Sequence, residues 1–222
     1  MLLTTRPRAA IFDLDGTVVD NMSLHAEAFA VFAARHELPP LTVADRAKLD
    51  GRRNSEIFPV LFNRDMTRDE WLAYEEEKEG LYRDVSRGRL HVVAGLPALL
   101  TTLCAHGIAI ALATSAPALN VVHTLAEVRL ADAFPIVVRG DQVGKGKPAP
   151  DVFIEAARQL ALPVGDCVVF EDAPMGIVAA HAAGMAVVAV TTSFSAAQLA
   201  ALDDAPDLAV GDFTEFLTRI AW

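Results

Sequence analysis

Cysteine is scarce in this chain, and its scarcity excludes two kinds of stabilising cross-link. Cys104 and Cys167 are the only cysteines among 222 residues. Two are too few for a disulfide framework or for a zinc site built from cysteines. Both lie in apolar runs, so we expect them to be buried free thiols.

Long apolar runs and an excess of positive charge are also missing. No uncharged run is long enough to span a bilayer, and the first residues carry no long apolar segment with a cleavage site. The net charge of −10 argues against nucleic acid or an anionic membrane as the main partner. We therefore expect a cytoplasmic protein, in which a phosphorylated substrate would need a local positive site or a divalent cation.

The composition does provide for a large hydrophobic core. Hydrophobic residues make up 53% of the chain and charged residues 22%, which is typical of globular proteins and unlike disordered ones. A length of 222 residues allows one core with an inserted or appended subdomain. The chain has no internal repeat and no low-complexity segment.

Short apolar runs alternate with helical patterns over most of the sequence. This alternation is typical of βαβ units and predicts an α/β fold with a parallel sheet. Gly107 and Gly184 are predicted to end helices. The predicted strands are residues 8–13, 108–113, 136–138, 167–170 and 186–190. The helices predicted around them are about 96–106, 117–127, 150–160, 174–183 and 195–202.

Residues 20–88 depart from this alternation of strands and helices because they contain no convincing strand pattern. We interpret them as a helical cap domain inserted after the first strand, which leaves residues 1–19 and 89–222 as the α/β core domain. An insertion at this point lies over the carboxyl edge of the sheet, where a lid would be. The helical patterns within it are 23–36, 43–49, 54–62 and 68–87.

The strongest functional signal is Ile-Phe-Asp-Leu-Asp-Gly-Thr at residues 11–17. An apolar strand here delivers Asp13 and Asp15 to the edge where open α/β sheets bind their ligands. One carboxylate can attack or bind a metal while the other handles a proton. An Asp-Gly turn with no catalytic role is the plainer alternative.

Two later predicted strands also run directly into polar residues. The second runs into Thr114-Ser115, where a hydroxyl and the N–H groups of a helix start could hold an anion. A simple helix N-cap is the alternative there. The fourth runs into Glu171-Asp172, and with Asp13 these acids would form an all-oxygen site suited to Mg²⁺.

A loop between these strands presents a lysine. Pro148 and Pro150 stiffen the loop that carries Lys147. Lysine is a point-charge partner for phosphate, and it would also neutralise a cluster of carboxylates. The alternative is a solvated loop lysine. Lys145 is a weaker candidate because nothing fixes its direction.

Together these four segments resemble the motifs of the haloacid dehalogenase (HAD) superfamily of phosphotransferases and phosphatases. FDLDGT resembles the first motif, LATS the second, the lysine of KPAPD the third and FEDAPMGIVAAHAAGM the fourth. The helical insert is similar to the C1-type cap of the subgroup with β-phosphoglucomutase and many sugar-phosphate phosphatases. The resemblance spans nearly the whole chain, and it implies a Rossmann-like parallel sheet core with an inserted helical-bundle cap.

The resemblance implies a role for each motif residue. Asp13 would be the nucleophile that forms an aspartyl-phosphate, and Asp15 the general acid that later acts as the base. Thr114 and Lys147 would bind the transferring phosphoryl group. The presence of Asp15 favours phosphoryl transfer over halide displacement. The implied Mg²⁺ ligands are Asp13, Asp15 through its backbone carbonyl, Glu171 and Asp172.

The resemblance also implies substrate-binding residues, chiefly in the cap. The stretch 51–54, Gly-Arg-Arg-Asn, resembles the loop that reads the substrate, although a solvated arginine is the plain alternative. His25 lies where β-phosphoglucomutase has a substrate-sensing histidine, although a structural histidine is equally ordinary. Asn54 stands where the mutase has an arginine, and this departure favours a phosphatase. The predicted substrate-binding set is Ser115, Arg52, Arg53, Asn54, His25 and Lys78.

The sequence therefore predicts a Mg²⁺-dependent phosphatase that hydrolyses a small phosphorylated metabolite, with a sugar phosphate favoured, through an aspartyl-phosphate. A β-phosphoglucomutase-type mutase is the alternative. A non-catalytic binding protein is disfavoured because binding alone does not require both Asp13 and Asp15. We expect no nucleic-acid or membrane partner, and a monomer or weak homodimer.

Overall fold

The computed structural model describes residues 6–220. Residues 1–5, at the start of the predicted core domain, and residues 221 and 222, at its end, lie outside the described residues. Within the described part of the chain, no helix combines the length and the apolar character that crossing a membrane requires.

A parallel sheet of six strands forms the centre of the molecule. The strands are β1 (Ala9–Phe12), β2 (Ala109–Thr114), β3 (Ile136–Arg139), β4 (Cys167–Glu171), β5 (Ala186–Val190) and β6 (Leu208–Val210). Their order in the sheet is β3-β2-β1-β4-β5-β6. The chain therefore builds outwards from β1 in one direction and then from β4 in the other, and ligands of such sheets bind beside this switch point.

Helices cover both faces of the sheet. Helices α5, α6 and α10 pack on one face and α7, α8 and α9 on the other, while α1 to α4 lie in the chain between β1 and β2. Among residues 6–220 the helices are α1 (Met22–Arg35), α2 (Val43–Leu49), α3 (Asn54–Leu61), α4 (Arg68–Ser86), α5 (Leu96–Ala105), α6 (Ala118–Glu127), α7 (Asp151–Gln159), α8 (Pro174–Ala182), α9 (Ala196–Ala200) and α10 (Phe213–Arg219).

The predicted α/β fold with a parallel sheet is confirmed, and its five predicted strands form close to the expected bounds. Gly107 and Gly184 follow helix ends with φ values of 66° and 78°, as predicted for helix-ending glycines. The sequence pattern does not predict β6 or α10. A run of three residues gives no periodic signal, and β6 forms because the edge of β5 offers it backbone partners, Val188 opposite Leu208.

One of the two cysteines departs from its expected state. Cys167 is buried, but Cys104 is exposed. Leu96, Leu99 and Leu103 form the buried face of α5. Cys104 comes one residue after Leu103, which turns it about 100° away from that face. Apolar neighbours along the sequence are therefore not enough to predict that the Cys104 thiol is buried.

Alternate residues of strand β1 pack into two separate hydrophobic cores, one on each face of the sheet. Ala10 and Phe12 face the core under α5 and α10, whereas Ala9 and Ile11 face the core under α7 and α8. The ring of Phe12 stacks on Phe170 of β4, with 4.7 Å between centroids. Burial on both faces explains why these strands read as continuous apolar runs rather than alternating ones.

Two crossings of the chain connect α1–α4 to the sheet. Val19 pairs with Val92 in an antiparallel bridge, and the N–H of Val93 donates to the carbonyl of Val18 at 3.0 Å. Helices α1 and α4 pack together through Leu24, Ala28 and Tyr82 among others. The helices lie where the sequence predicts the cap, and the division into domains at residues 19/20 and 88/89 stays a prediction.

Helix α10, which the sequence pattern does not predict, should contribute strongly to stability. Phe213 is fully buried, with its ring 5.9 Å from Phe12 and 5.5 Å from Phe170. We expect Phe213→Ala to lower the free energy of unfolding by about 3–5 kcal/mol, because it leaves a cavity between rings. Denaturant unfolding measures the change.

The matched control is Leu119→Ala on α6, where the leucine is 65% exposed. This variant should change stability by no more than about 0.5 kcal/mol. Equal stabilities for the two variants would mean that α10 does not pack on the sheet as described.

Candidate active site

The candidate site lies at the carboxyl edge of the sheet, where β1 and β4 end side by side. Asp13 follows β1 directly, and its N–H donates to the carbonyl of Phe170 at 3.0 Å. Glu171 is the last residue of β4 and Asp172 follows it. Because parallel strands present their carboxyl ends at one edge, the three acids converge. Their side-chain oxygens lie within 4.8 Å of one another, and all three residues are buried.

Lys147 reaches this cluster from the loop before α7. Its side chain is fully buried, and Nζ donates to Asp13 at 2.5 Å, to Glu171 at 2.7 Å and to the carbonyl of Ala113 at 3.3 Å. A buried charge is tolerated only when it is paired and hydrogen-bonded. The structure therefore excludes the solvated loop lysine that the sequence left open.

The cluster carries more negative charge than Lys147 can balance. Burial is the main reason that the pKa of Asp13 is raised to about 8; Lys147 opposes the change and Glu171 adds to it. Burial, Glu171 and Asp13 raise the pKa of Asp172 as well. The two carboxylates raise the pKa of Lys147 despite its burial. One ammonium group thus faces three carboxylates.

These residues fit a hard divalent cation. Their donor set is entirely carboxylate oxygen, the type that Mg²⁺ prefers, and the unbalanced charge favours a cation there. Asp13 and Asp172 are the better-placed ligands. Both oxygens of Glu171 are already engaged, one by Lys147 and the other by the N–H groups of Asp172 and Ala173 at 2.7 and 2.8 Å.

Several residues that position Asp172 are not predicted from the sequence. Thr17 donates its hydroxyl to Asp172 at 3.3 Å, and Ser193 donates to the other carboxylate oxygen. Gly16 has a φ of +80°, and a Cβ at this position would overlap the Asp172 carboxylate. Ser193 comes from the segment after β5, and no spacing in the sequence connects it with Asp172.

Asp15 lies in a separate polar pocket beside the cluster. Asn21 donates to its carboxylate at 2.7 Å, and Nε2 of His25 lies 3.5 Å away. Burial acts to raise the pKa of Asp15, but His25 and then Asn21 outweigh burial and hold this pKa below its usual value. The ring of His25 stacks on Tyr82, with 3.7 Å between centroids. Asp15 is therefore held in its ionised carboxylate form, in which it can accept a proton.

Thr114 and Ser115 lie at the end of β2, beside the two aspartates. Thr114 is buried and accepts a hydrogen bond from the N–H of Ala116 at 3.0 Å. Ser115 donates its hydroxyl to the carbonyl of Gly51 at 2.6 Å. This bond lies in the turn before α6 and is not the helix N-cap that the sequence left open, since the N-cap residue is Pro117 and no side chain caps the helix. The Ser115 hydroxyl is committed to the loop before α3.

The two predicted cap arginines have different positions. Arg52 lines the cavity over the carboxylates, and its Nε is buried without a partner among the described residues. Arg53 does not line this cavity. Its guanidinium instead donates to Glu56 and to the carbonyl of Gly140 at 3.1 Å. The prediction that Arg53 contacts substrate is thus not supported, because this ion pair turns it away.

A buried glutamate that the sequence did not single out connects the helices over the site with the sheet domain. Glu79 of α4 accepts from Asn54 at 2.8 Å, from Asn120 of α6 at 2.6 Å and from Lys78 at 2.9 Å. Lys78 also lies 3.1 Å from Nδ1 of His25. Glu79 lies in a glutamate-rich stretch of the sequence, and only packing distinguishes it from Glu75, Glu76 and Glu77, which are half-buried or exposed.

These groups surround a cavity of about 490 Å³, within the range of small-molecule sites. Its inner end holds Asp13, Asp15, Thr114, Ser115 and Asp172. Five of the six predicted substrate-binding residues line it: Ser115, Arg52, Asn54, His25 and Lys78. Lys147 and Glu171 lie beneath the cavity rather than in its wall.

Such a sheet edge, with paired aspartates and a buried lysine, defines a phosphoryl-transfer type of site, and comparison with known proteins agrees. The sequence profile of the haloacid dehalogenase-like hydrolases matches residues 10–190. Since this match covers most of the chain, the protein belongs to that hydrolase family, as its motifs predicted.

Two curated relatives and one solved structure illustrate the range of the family. Hexitol phosphatase A of Escherichia coli is 31% identical over 211 residues, covering 89% of each protein. Beta-phosphoglucomutase of Bacillus subtilis is 31% identical over 193 residues, covering 82% of this chain and 83% of the relative. A HAD hydrolase, family IA, variant 3, from Entamoeba histolytica superposes with a TM-score of 0.83 at 29% identity and covers 94% of both chains.

Gly176 provides a sharp test of the acidic cluster. It lies in the first turn of α8, where a Cβ would overlap the Glu171 carboxylate. Helix propensity alone would make Gly176→Ala stabilising by up to about 1 kcal/mol. We expect instead a net loss of about 1–3 kcal/mol in the free energy of unfolding, because the displaced carboxylate strains its bonds to Lys147. Urea denaturation measures it.

Gly165→Ala is the matched control, since nothing lies within 4 Å of a Cβ placed there. It should leave stability unchanged or slightly raised. A Gly176→Ala protein as stable as this control would contradict the position assigned to Glu171.

Proposed function

We propose that this protein is a Mg²⁺-dependent phosphatase that hydrolyses a small phosphorylated metabolite through an aspartyl-phosphate. The observation that carries the proposal is the buried Lys147, bonded to Glu171 and to Asp13, which lines the cavity above it. A fold needs no such lysine for stability, because apolar residues of similar volume do as well or better. Phosphoryl transfer does need a fixed positive charge beside its nucleophile.

In the first step, an Asp13 carboxylate oxygen attacks phosphorus and forms a new P–O bond. The bond from phosphorus to the ester oxygen breaks, and that oxygen leaves with its electron pair. Asp15, once protonated, supplies a proton to it. Thr114 and Lys147 hold the phosphoryl oxygens, so the transferring group stays aligned with Asp13.

In the second step, water attacks the aspartyl-phosphate and releases inorganic phosphate. Asp15 takes one proton from this water, and the bond from phosphorus to the Asp13 oxygen breaks. The lowered pKa of Asp15 keeps this carboxyl group ionised, so that it is free to take the proton. His25 and Asn21 keep its carboxylate directed towards the cavity.

When bound, Mg²⁺ would offset the repulsion between the Asp13 carboxylate and the phosphate dianion. Asp13, the Asp15 carbonyl and Asp172 would hold the ion, with Glu171 in support. Thr17 and Ser193 orient Asp172 for this task.

Sugar phosphates are the first substrate class to test, because a hexitol phosphatase is among the relatives. The mutase alternative has its support in a beta-phosphoglucomutase relative. Against it, the amide of Asn54 is consumed by Glu75 and Glu79, so this position offers no cation to a second phosphate. The cytoplasmic location and the monomer or weak homodimer remain predictions.

Phosphate release tests the proposal directly. We expect the purified protein with Mg²⁺ to release inorganic phosphate from small phosphomonoesters, to lose this activity in EDTA, and to regain it with added Mg²⁺. Asp13→Asn should lower kcat by on the order of 10³-fold or more because the nucleophile is gone. The exposed Asp20→Asn is the matched control.

Full turnover by Asp13→Asn would overturn the mechanism. Conversion of β-glucose 1-phosphate to glucose 6-phosphate without phosphate release, in the presence of a trace of glucose 1,6-bisphosphate, would favour the mutase instead.

Asp15→Asn separates the two chemical steps. With p-nitrophenyl phosphate the leaving group needs no proton, so attack by Asp13 should still occur. Hydrolysis of the aspartyl-phosphate should then stall because its base is missing. We expect a stoichiometric burst of nitrophenolate followed by turnover reduced about 10²–10⁴-fold, measured by rapid-mixing absorbance. Steady turnover at the wild-type rate would contradict the assigned base.

A further inference from the structure

Helix α1 carries more apolar surface than its packing against α4 uses. Its buried face includes Leu24, Ala28 and Phe32. A second apolar face lines the cavity and spans eight residues, from Ala26 to Ala33, or about 10 Å. Helices on a protein surface ordinarily turn polar residues away from their buried stripe. The members of this second face are Ala26, Phe29, Ala30 and Ala33.

Three other segments complete an apolar wall. Leu38 and Leu41 come from the loop before α2, Leu49 ends α2, and Ile57 and Phe58 come from α3. This wall belongs to the same cavity that holds the two aspartates at its inner end. A molecule that places a phosphate against Asp13 therefore extends its organic part along apolar side chains.

The polar side chains of the cavity are largely committed to one another. Asn54, Asn120 and Lys78 all donate to Glu79. The second carboxylate oxygen of Glu79 is the one that takes Asn120, so both of its oxygens are engaged. Hydroxyl groups of a polyol would have to compete with these short bonds, and displacing a satisfied buried partner is costly.

The other charged side chains that line the cavity are mostly paired as well. Arg46 and Asp50 pair with each other at 3.0 Å on the cavity wall. Nε of Arg52 and Nε2 of His25 are the fully buried side-chain atoms that make no hydrogen bond within residues 6–220, and Nε2 of His25 lies 3.5 Å from Asp15. The charged side chains of the outer cavity are therefore mostly paired with one another.

We propose that the outer part of this cavity binds an apolar leaving group, so that the substrate is a phosphomonoester with an alkyl or aromatic body. This inference rests on the proposed phosphatase function, since it is the presence of Asp13 in the same cavity that makes the bound body a leaving group. Every methylene group that enters the wall is removed from water, which favours binding by about fourfold.

A series of straight-chain alkyl phosphates from ethyl to octyl tests the wall. These esters have similar leaving oxygens, so differences in kcat/KM report contacts of the chain. We expect kcat/KM to rise by about fourfold per methylene until the wall ends, and the longer esters to exceed glycerol 3-phosphate and glucose 6-phosphate. Hydrolysis of the sugar phosphates with no gain along the series would overturn this inference while leaving the phosphatase proposal intact.

Ala30→Gln places a polar amide on the wall. Ala30 is exposed and glutamine suits helices, so the fold should tolerate the change. The preference for octyl over ethyl phosphate should fall by about tenfold. Val31→Gln is the matched control, because Val31 is 39% exposed and does not line the cavity. Equal preferences in both variants would contradict the inference.

Binding to the Asp13→Asn protein separates this inference from catalysis. Calorimetry with Mg²⁺ should show Kd falling from ethyl to hexyl phosphate even where no hydrolysis occurs. If no ester is hydrolysed by the wild type but this trend holds, the phosphatase proposal fails and the apolar site stands. Affinity independent of chain length, or a dimer that Ala30→Gln weakens, would overturn the apolar site and in the second case assign the wall to another copy.

Discussion

The arrangement of the site depends on a single buried ammonium group. Lys147 has no exposed surface, and its charge is stabilised by Asp13, Glu171 and the carbonyl of Ala113, with the ring of Phe153 5.0 Å away. Three strand ends and one loop must therefore meet within hydrogen-bond distance. Loss of both acids would leave Lys147 as an uncompensated buried charge, which is among the costliest defects a protein can carry.

A second polar network holds the helices above the site. Glu79 joins Asn54 at the start of α3 to Asn120 on α6, while Ser115 bonds to the carbonyl of Gly51. Asn54 and Glu79 line the cavity that Asp13 and Asp15 share, so these bonds fix the helices beside the carboxylates. They also consume polar groups that would otherwise bind hydroxyls. The bonds that fix these helices thus leave the outer wall of the cavity mainly apolar.

A hexitol phosphatase and a beta-phosphoglucomutase are about equally similar to this chain, so overall identity does not discriminate between their activities. In this protein the outer wall of the cavity is built by α1, α3 and the loop before α2, which place alanines and leucines there together with the amide of Asn54. Within residues 6–220, the fully buried side-chain nitrogens that make no hydrogen bond belong to Arg52 and His25.

The sequence by itself determined the parallel sheet and the identity of the motif residues. Buried strands and strand-end acids such as Asp13 and Glu171 follow from local patterns, because apolar runs and turn residues act over a few positions. Tertiary structure alone decided that Arg53 pairs with Glu56, that Ser193 orients Asp172, that Glu79 is buried, and that β6 forms at all. Each of these depends on contacts between residues distant in sequence or on the direction of one flexible side chain. Such directions are set by packing, and no spacing along the chain encodes them.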